Sequence, residues 1–207
     1  MIRSRSPEPV AIAILAKAPV PGLAKTRLIP GLGAAGAAAL QERLTARAVT
    51  TALAAATGPV KLWATPDPRH PSFSRLAAHT AVGLFPQPDG DLGTRMRVAA
   101  ETAAGPVLVI GTDCPVLTAP HLVACAESLR DGIDAVVIPA EDGGYVLIGM
   151  RLARPELFSG MPWSTAEVMA STRRRLARTG LSWREPARLW DVDRPEDLAR
   201  LAAELVM

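Results

Sequence analysis

Residues 107–115, with the sequence VLVIGTDCP, decide the fold that we predict for this chain. The run from Val107 to Gly111 is apolar, which predicts a buried strand, and Pro115 prevents that strand from continuing. Asp113 therefore follows the carboxyl end of a central strand. Ligands bind at this edge of open α/β sheets, because the loops separate there and form a crevice. Asp113 is interpreted either as a turn residue or as a ligand of a divalent cation that holds a phosphorylated substrate.

The composition indicates one α/β domain. Of the 207 residues, 49% are hydrophobic and only 4% are aromatic, which suits helices packed closely on a sheet. The chain has 23 basic and 20 acidic residues, and so small an excess of positive charge does not favour a nucleic-acid partner. We expect residues 1–9, which are polar and contain prolines, to be flexible, and residues 10–207 to form a single domain.

No pattern in the sequence indicates export or membrane insertion. The apolar run 10–16 is too short to span a bilayer, and it leads into Lys17 and prolines instead of a cleavage site. Cys114 and Cys125 lack the spacing of a disulfide framework or a metal site. We therefore expect a cytoplasmic protein with reduced thiols.

Apolar runs alternate with helical segments, which predicts a mostly parallel sheet joined by right-handed crossovers. We expect strands at 10–16, 60–64, 81–85, 107–111, 135–139, 145–150, 181–184 and 189–192. We expect helices at 34–56, 92–103, 118–130, 164–178 and 194–206. The strands at 135–139 and 145–150 leave no room for a helix between them, so one antiparallel or edge strand is expected. The proline-rich residues 66–72 are interpreted as a surface connection.

Two segments carry signals for the start of a helix. Ser164 and Glu167 fit a capping box, in which each side chain bonds to the other residue's backbone N–H. Asp193 and Glu196 fit the same pattern. Asp191 is expected to face the opposite side from Asp193. If this segment passes beside the central strand, one of the two aspartates completes a metal site there.

The loop after the first strand carries three cations, Lys17, Lys25 and Arg27. At the edge where ligands bind they repel one another, which costs stability unless an anion is bound. They are either solvent-exposed side chains or a site for a nucleotide di- or triphosphate, and the second interpretation explains their clustering better.

Two glycine-containing patterns near this loop are rejected. Residues 19–26 (PVPGLAKT) overlie the phosphate-loop pattern, but Pro19 and Ala24 replace its two glycines. Residues 31–36 (GLGAAG) match the dinucleotide fingerprint but lie too far after the strand. A dehydrogenase is therefore not favoured.

Six motifs occur in the order found in one family of small bacterial transferases. They are AKAPVPGLAKTRL (16–28), GDLGTRM (90–96), IGTDCP (110–115), PAEDGGYVLIG (139–149), PWST (162–165) and DVDRPEDL (191–198). The chain resembles the radical-SAM/selenodomain-associated, glycosyltransferase-like family, which is similar to 2-phospho-lactate guanylyltransferase and other nucleotidyltransferases. The resemblance implies a three-layer α/β fold of the glycosyltransferase-A type, which is nucleotide-diphospho-sugar transferase-like and has a mostly parallel central sheet.

The resemblance also implies a nucleotide site. Lys17, Lys25 and Arg27 would bind the nucleotide phosphates, and Asp91 and Arg95 would lie near the nucleotide.

A metal site is implied next to it. Asp113 corresponds to the metal-binding Asp of a D-x-D motif and is a candidate catalytic residue, although Gly111 replaces the first Asp of that motif. We therefore assign the second ligand of a Mg²⁺ or Mn²⁺ ion to Asp193, with Asp191 in reserve.

An acceptor pocket completes the implied site. Four residues are expected to line it: Gly143, Gly144, Tyr145 and Trp163. Trp163 can instead be a core residue before a helix. Asp142, or Glu141 in its place, is the candidate catalytic residue that orients or deprotonates an acceptor hydroxyl.

The function expected from these residues is metal-dependent transfer from a nucleotide-activated donor to a small-molecule acceptor. A nucleotide-sugar glycosyltransferase is favoured, and a guanylyl- or cytidylyl-type nucleotidyltransferase that releases pyrophosphate is the alternative. A non-catalytic nucleotide-binding module is the third possibility, against which the candidate metal and phosphate ligands argue. 

Overall fold

The computed structural model of the protein describes residues 7–205, and side-chain environments as far as residue 201. Within these residues the strands are β1 (Ala11–Lys17), β2 (Val60–Thr65), β3 (Gly83–Pro86), β4 (Val107–Ile110), β5 (Ala135–Pro139), β6 (Tyr145–Met150) and β7 (Trp183–Arg184). The helices are α1 (Ile29–Ala55), α2 (Pro71–His79), α3 (Leu92–Glu101), α4 (Ala119–Arg130), α5 (Val168–Arg178) and α6 (Asp197–Leu205). Most of the expected flexible N-terminus and the end of the expected last helix lie outside the described residues.

The seven described strands form one sheet in the order β3-β2-β1-β4-β6-β5-β7. β6 is antiparallel to both of its neighbours, and the other pairings are parallel. The mostly parallel sheet and its antiparallel strand are thus confirmed, with β6 inside the sheet and not at its edge. The carboxyl ends of β1 and β4 therefore meet the amino end of β6 at one edge.

Helices cover both faces of the sheet. Side chains alternate between the two faces along each strand, so both faces carry apolar side chains that helices bury. Ile12 and Ile14 of β1 pack in one apolar cluster with residues of α1, α2 and α4. Ala11 and Ala13 pack in a second cluster, with residues of α3 and α5. These clusters confirm the expected three layers. None of the described helices combines the length and the apolar character needed to cross a bilayer.

A third apolar cluster joins the chain after β7 to the start of α1. Its buried members include Leu28, Leu44, Trp190 and Val192. This packing brings residues 190–193 beside the loop that follows β1.

Residues 66–72 were expected to form a surface connection, but helix α2 begins within them, at Pro71. Pro71 occupies the first turn, where its missing N–H costs nothing. The His70 ring accepts a hydrogen bond from the Ser72 amide, and Phe73 is fully buried. Burial of Phe73 thus stabilises a short helix that the proline-rich sequence at its start does not indicate.

Neither expected capping box forms. Ser164 has a positive φ of 65°, and α5 begins only at Val168 without a side-chain cap. At the last helix, the Asp197 carboxylate accepts hydrogen bonds from the amides of Asp193 and Arg194. The acceptor is thus one residue beyond the expected Glu196.

The strand expected at 189–192 is reduced to one bridge, between Ala140 and Leu189. Trp190 and Val192 turn instead into the third cluster, where burial outweighs further pairing.

Candidate functional site

A cavity lies at the sheet edge where β1 and β4 end. Its volume is about 570 Å³, large enough for a nucleotide-sized ligand. Its walls come from the ends of β1 and β4, the loop after β1, the start of α3, the start of β6 and residues 191–193. Segments distant in sequence therefore contribute to one site.

The loop after β1 returns to the cavity through a short turn. The Ala24 amide donates to the Val20 carbonyl, and the backbone of Lys25 is left-handed, with φ 47°. This geometry directs the Lys25 side chain inward, where only 5% of it remains exposed. Lys17, at the end of β1, is exposed and lines the same cavity.

Two ion pairs join this loop to carboxylates on the other side of the cavity. Lys25 Nζ lies 2.8 Å from Asp113 Oδ1 and also donates to the Val192 carbonyl. Arg27 pairs with Asp193. Asp113 remains half-exposed, so the carboxylate is open to the cavity even while it is paired.

Asp191 and Asp193 both line the cavity, on either side of buried Val192. The expectation that they face opposite sides was wrong, because side chains two positions apart in an extended segment point the same way. The Val192 amide donates to the Asp113 carbonyl at 2.8 Å, which holds this segment against the end of β4.

The environment of Asp191 is unfavourable for a negative charge. Burial raises the pKa of the Asp191 carboxyl to about 6, helped by the nearby charges of Asp142 and Asp113 and opposed by Lys25. Carboxylates therefore crowd one another in this part of the cavity.

Among residues 7–205, no group of three or more His, Cys, Asp or Glu side chains is arranged to hold a metal ion. A pair of carboxylates nevertheless fits Mg²⁺, which takes one or two carboxylates and completes its shell with phosphate and water oxygens. Asp113 and Asp193 supply hard oxygen donors of this kind, and the repulsion around Asp191 is what a bound cation would relieve.

A buried polar contact lies behind Asp113. Gln41 of α1, only 3% exposed, donates to the Thr112 hydroxyl at 3.0 Å, and Thr112 donates to Asp113 Oδ1 at 3.1 Å. The sequence reasoning missed both residues. The one available signal was a glutamine on the otherwise alanine-rich first half of α1.

Arg95 is held over the opposite wall by Gln87. Arg95 Nη1 donates to Gln87 Oε1 at 3.3 Å, and Gln87 Nε2 donates to the carbonyls of Ala16 and Trp63. Arg95 Nε is buried and has no hydrogen-bond partner among the described residues. The Gln87 side-chain amide thus fixes the Arg95 guanidinium at the cavity wall without neutralising its charge.

The family model of DUF2064, described as an uncharacterized protein conserved in bacteria, matches residues 47–165, more than half of the chain. The chain belongs to the DUF2064 family. The matched region contains Asp113 and Arg95, whereas the loop after β1 and residues 191–193 lie outside it. No curated protein matches the sequence.

Solved structures resemble this DUF2064 protein over nearly all of its length. A candidate nucleotide-diphospho-sugar transferase from Desulfovibrio desulfuricans G20 is 29% identical, with a TM-score of 0.84 over 93% of this chain and 85% of that chain. A 4-diphosphocytidyl-2C-methyl-D-erythritol synthase from Anaerococcus prevotii is 10% identical, with a TM-score of 0.64 over 96% and 99% of the two chains. 

A CMP:2-keto-3-deoxy-manno-octonic acid synthetase complexed with CTP is 14% identical, with a TM-score of 0.59 over 96% of this chain and 99% of that chain. The synthetase and the Anaerococcus protein share the fold alone with this chain. Together the comparisons confirm the predicted nucleotide-diphospho-sugar transferase-like fold. The relation to 2-phospho-lactate guanylyltransferase and the radical-SAM association stay predictions.

In this DUF2064 protein, four of the five expected nucleotide ligands line the cavity: Lys17, Lys25, Arg27 and Arg95. Asp91 is the exception. It is exposed at the start of α3, where its Oδ1 accepts from the Thr94 amide at 2.8 Å. This bond lowers the pKa of the Asp91 carboxyl and gives the residue a capping role.

The expected acceptor residues are only partly at the cavity. Tyr145 lines it, and burial raises the pKa of its hydroxyl. Trp163 lies behind Tyr145 in an edge-to-face contact, with ring centroids 6.3 Å apart, and it packs against Gly93. Trp163 therefore occupies the core position that the sequence left open as its alternative.

Gly143 and Gly144 have local roles outside the cavity lining. Gly143 has φ 95°, and a Cβ there would lie 2.3 Å from the Ala166 carbonyl oxygen, so only glycine fits beside the chain before α5. The Gly144 amide donates to Asp142 Oδ1 at 2.9 Å.

Asp142 is exposed and does not line the cavity, yet its charge reaches Asp191. Glu141 forms a two-pronged ion pair with Arg200, at 2.8 and 3.1 Å. Cys114 lines the cavity, but burial raises the pKa of its thiol to about 12, which excludes an activated nucleophile at neutral pH.

Proposed function

We propose that this protein is a metal-dependent transferase that uses a nucleotide sugar as its donor and a small molecule as its acceptor. The observation that carries the proposal is the pairing of Lys25 with Asp113 and of Arg27 with Asp193 inside one cavity. The similarity to the Desulfovibrio protein supports it.

Within each ion pair, the cation and the carboxylate neutralise each other's charge only while no ligand is bound. A nucleotide diphosphate needs the cations, and a divalent ion needs the carboxylates, so each ligand releases the group that the other requires. Binding of one ligand should therefore strengthen binding of the other. 

Asp113 and Asp193 would hold Mg²⁺ or Mn²⁺, with Asp191 in reserve. Bound there, the ion would neutralise charge that develops on the departing nucleoside diphosphate. Lys25 and Arg27, released from their carboxylates, would bind the diphosphate oxygens and stabilise the same charge.

Asp142 is proposed to orient or deprotonate the acceptor hydroxyl. Its Oδ1 is fixed by the Gly144 amide, and the carboxylate is exposed and near enough to Asp191 for its charge to raise the pKa of that residue. Tyr145 would form the wall behind the acceptor.

A nucleotidyltransferase that releases pyrophosphate is the second candidate. Three cations at the end of β1 and in the loop after it, Lys17, Lys25 and Arg27, suit a triphosphate, and Gly111 leaves the D-x-D motif incomplete. A non-catalytic module would bind nucleotide without metal.

Thermal unfolding against UDP-, GDP-, ADP- and CDP-sugars and the four NTPs, with and without Mg²⁺ or Mn²⁺, tests the proposal. A ligand at about 100 times its Kd adds roughly 2.7 kcal/mol of stability. We expect a metal-dependent rise in Tm for one nucleotide, and phosphorus NMR of the products then separates nucleoside diphosphate from pyrophosphate. A chain that no nucleotide stabilises would contradict the proposal.

A further inference from the structure

A buried glutamine reaches the Asp113 carboxylate through one hydroxyl. Gln41 and Thr45 of α1 and Thr112 after β4 are all nearly inaccessible to solvent. Gln41 Nε2 lies 3.0 Å from the Thr112 hydroxyl and 3.2 Å from the Thr45 hydroxyl. The Thr112 hydroxyl lies 3.1 Å from Asp113 Oδ1.

The direction of these hydrogen bonds is fixed by chemistry. Thr45 gives its one hydroxyl proton to the Gln41 backbone carbonyl at 2.8 Å, so it can only accept from the Gln41 side chain. This places the amide nitrogen of Gln41 toward both threonines. Thr112 therefore also accepts from Gln41, and its own proton is available only for Asp113.

The result is a carboxylate with one oxygen engaged and the other free. Asp113 Oδ1 receives Lys25 Nζ and the Thr112 hydroxyl, while the described hydrogen bonds leave Oδ2 open. When a nucleotide and metal draw Lys25 away, Thr112 is the donor that still holds Oδ1 in place.

We propose that Gln41 is a positioning residue, which fixes the Thr112 hydroxyl and thereby holds the Asp113 carboxylate in an orientation that leaves Oδ2 free for a metal ion. This inference rests on the proposed function, in which Asp113 binds the ion. Groups that orient a metal ligand from behind typically change metal affinity by about 10- to 100-fold when they are removed.

The test compares two isosteric substitutions at threonines that both bond to Gln41. Thr112→Val removes the hydroxyl that contacts Asp113, whereas Thr45→Val removes one that does not. Mn²⁺ affinity is measured by the EPR signal of the free ion, and Tm is measured separately. We expect Thr112→Val to weaken Mn²⁺ binding about tenfold and Thr45→Val to change it less than about twofold, although both lower Tm.

Two further variants separate a positioning role from direct contact, because Gln41 also lines the cavity. Gln41→Met should weaken Mn²⁺ binding in the native background but not in the Thr112→Val background. Thr112→Ser, which keeps the hydroxyl, should retain native affinity. Equal losses from Gln41→Met in both backgrounds would overturn the inference, as would equal effects of the two Thr→Val substitutions.

Crystal structures of the native protein and Gln41→Met keep this inference distinguishable from the proposed function. We expect the Asp113 carboxylate to rotate or split into two conformers in Gln41→Met. An unchanged carboxylate would overturn the positioning role even if Mn²⁺ binds. A native protein that binds neither Mn²⁺ nor nucleotide would contradict the proposed function, and the crystal structures would still decide whether Gln41 positions Asp113.

Discussion

Two hollows with charges of both signs lie at opposite edges of the sheet. The cavity at the ends of β1 and β4 has a volume of about 570 Å³. The other hollow, of about 290 Å³, lies at the amino ends of β4 and β5 and contains Glu8, Asp134, Arg151 and Arg154. The presence of both positive and negative side chains therefore does not distinguish them.

The aspartates in the two hollows are affected in opposite directions. Burial and neighbouring carboxylates raise the pKa of Asp191 to about 6. Hydrogen bonds from the Ser182 hydroxyl and amide lower the pKa of half-buried Asp134, assisted by Arg151 and Arg154. A site whose surroundings disfavour the charged form of a carboxyl group is a better functional candidate than a site whose hydrogen bonds and cations stabilise that form.

The largest difference between the hollows should appear in nucleotide binding. We expect Asp113→Asn to weaken metal-dependent nucleotide binding about 100-fold, equivalent to about 2.7 kcal/mol, because it removes the carboxylate that we propose as a ligand of the ion. Calorimetric titration with the nucleotide selected by the thermal screen measures this loss. Asp134→Asn is the matched control and should leave affinity within about twofold. Equal losses in the two variants would show that the cavity is not the binding site.

The ion pairs across the cavity can be tested with two lysines. Lys25→Met should strengthen Mn²⁺ binding about tenfold in the absence of nucleotide, because the ammonium 2.8 Å from Asp113 no longer competes with the ion. Lys17→Met removes the same charge from the same cavity, but Lys17 has no carboxylate partner among the described residues. EPR of free Mn²⁺ measures both variants. Equal gains would mean that net charge, and not the ion pair, governs the affinity.

The smallest effect is on stability and has opposite signs in the two hollows. In metal-free protein with chelator, Asp191→Asn should raise the free energy of unfolding at pH 8 by about 1 kcal/mol. The folded-state pKa of Asp191 is raised, so folding favours its protonated form. The penalty develops as pH rises from the ordinary value of 3.8 to about 6 and is complete above that. The gain should disappear below pH 4.

Asp134→Asn should instead lower stability at neutral pH. A lowered folded-state pKa contributes stability above the unfolded pKa, and this contribution is lost as pH falls through the folded value. Urea unfolding of both variants from pH 4 to pH 8 measures the two curves. If both substitutions changed the free energy of unfolding at neutral pH in the same direction, the contrast between the hollows would be contradicted.

Sequence patterns predicted the sheet well where a strand is buried on both faces. β5 and β6 have the expected bounds, because runs such as 135–139 admit few alternatives. Helix α2 could not be predicted in the same way, since its stability depends on where Phe73 is buried. The absent capping box at Ser164 has a related cause, because the chain there follows the packing around Gly143 and not a local signal.

The candidate site was predictable at the residues that follow strands. Lys17 is the last residue of β1 and Asp113 lies in the loop that follows β4, and the parallel topology brings such positions to one edge. Gln41 could not be predicted, because its contact with Thr112 depends on how α1 rotates against the sheet. The two-residue repeat of an extended chain places Asp191 and Asp193 on the same side, so the expectation that they face opposite sides was wrong.

We expect a divalent cation and a nucleoside diphosphate to bind by taking opposite members of the same ion pairs. Calorimetry of the selected nucleoside diphosphate, with Mg²⁺ and then with chelator, tests it most directly. We predict that Mg²⁺ tightens binding at least about tenfold in the native protein and has less than about a twofold effect in Asp113→Asn. Equal nucleotide affinity with Mg²⁺ and with chelator in the native protein would contradict the claim.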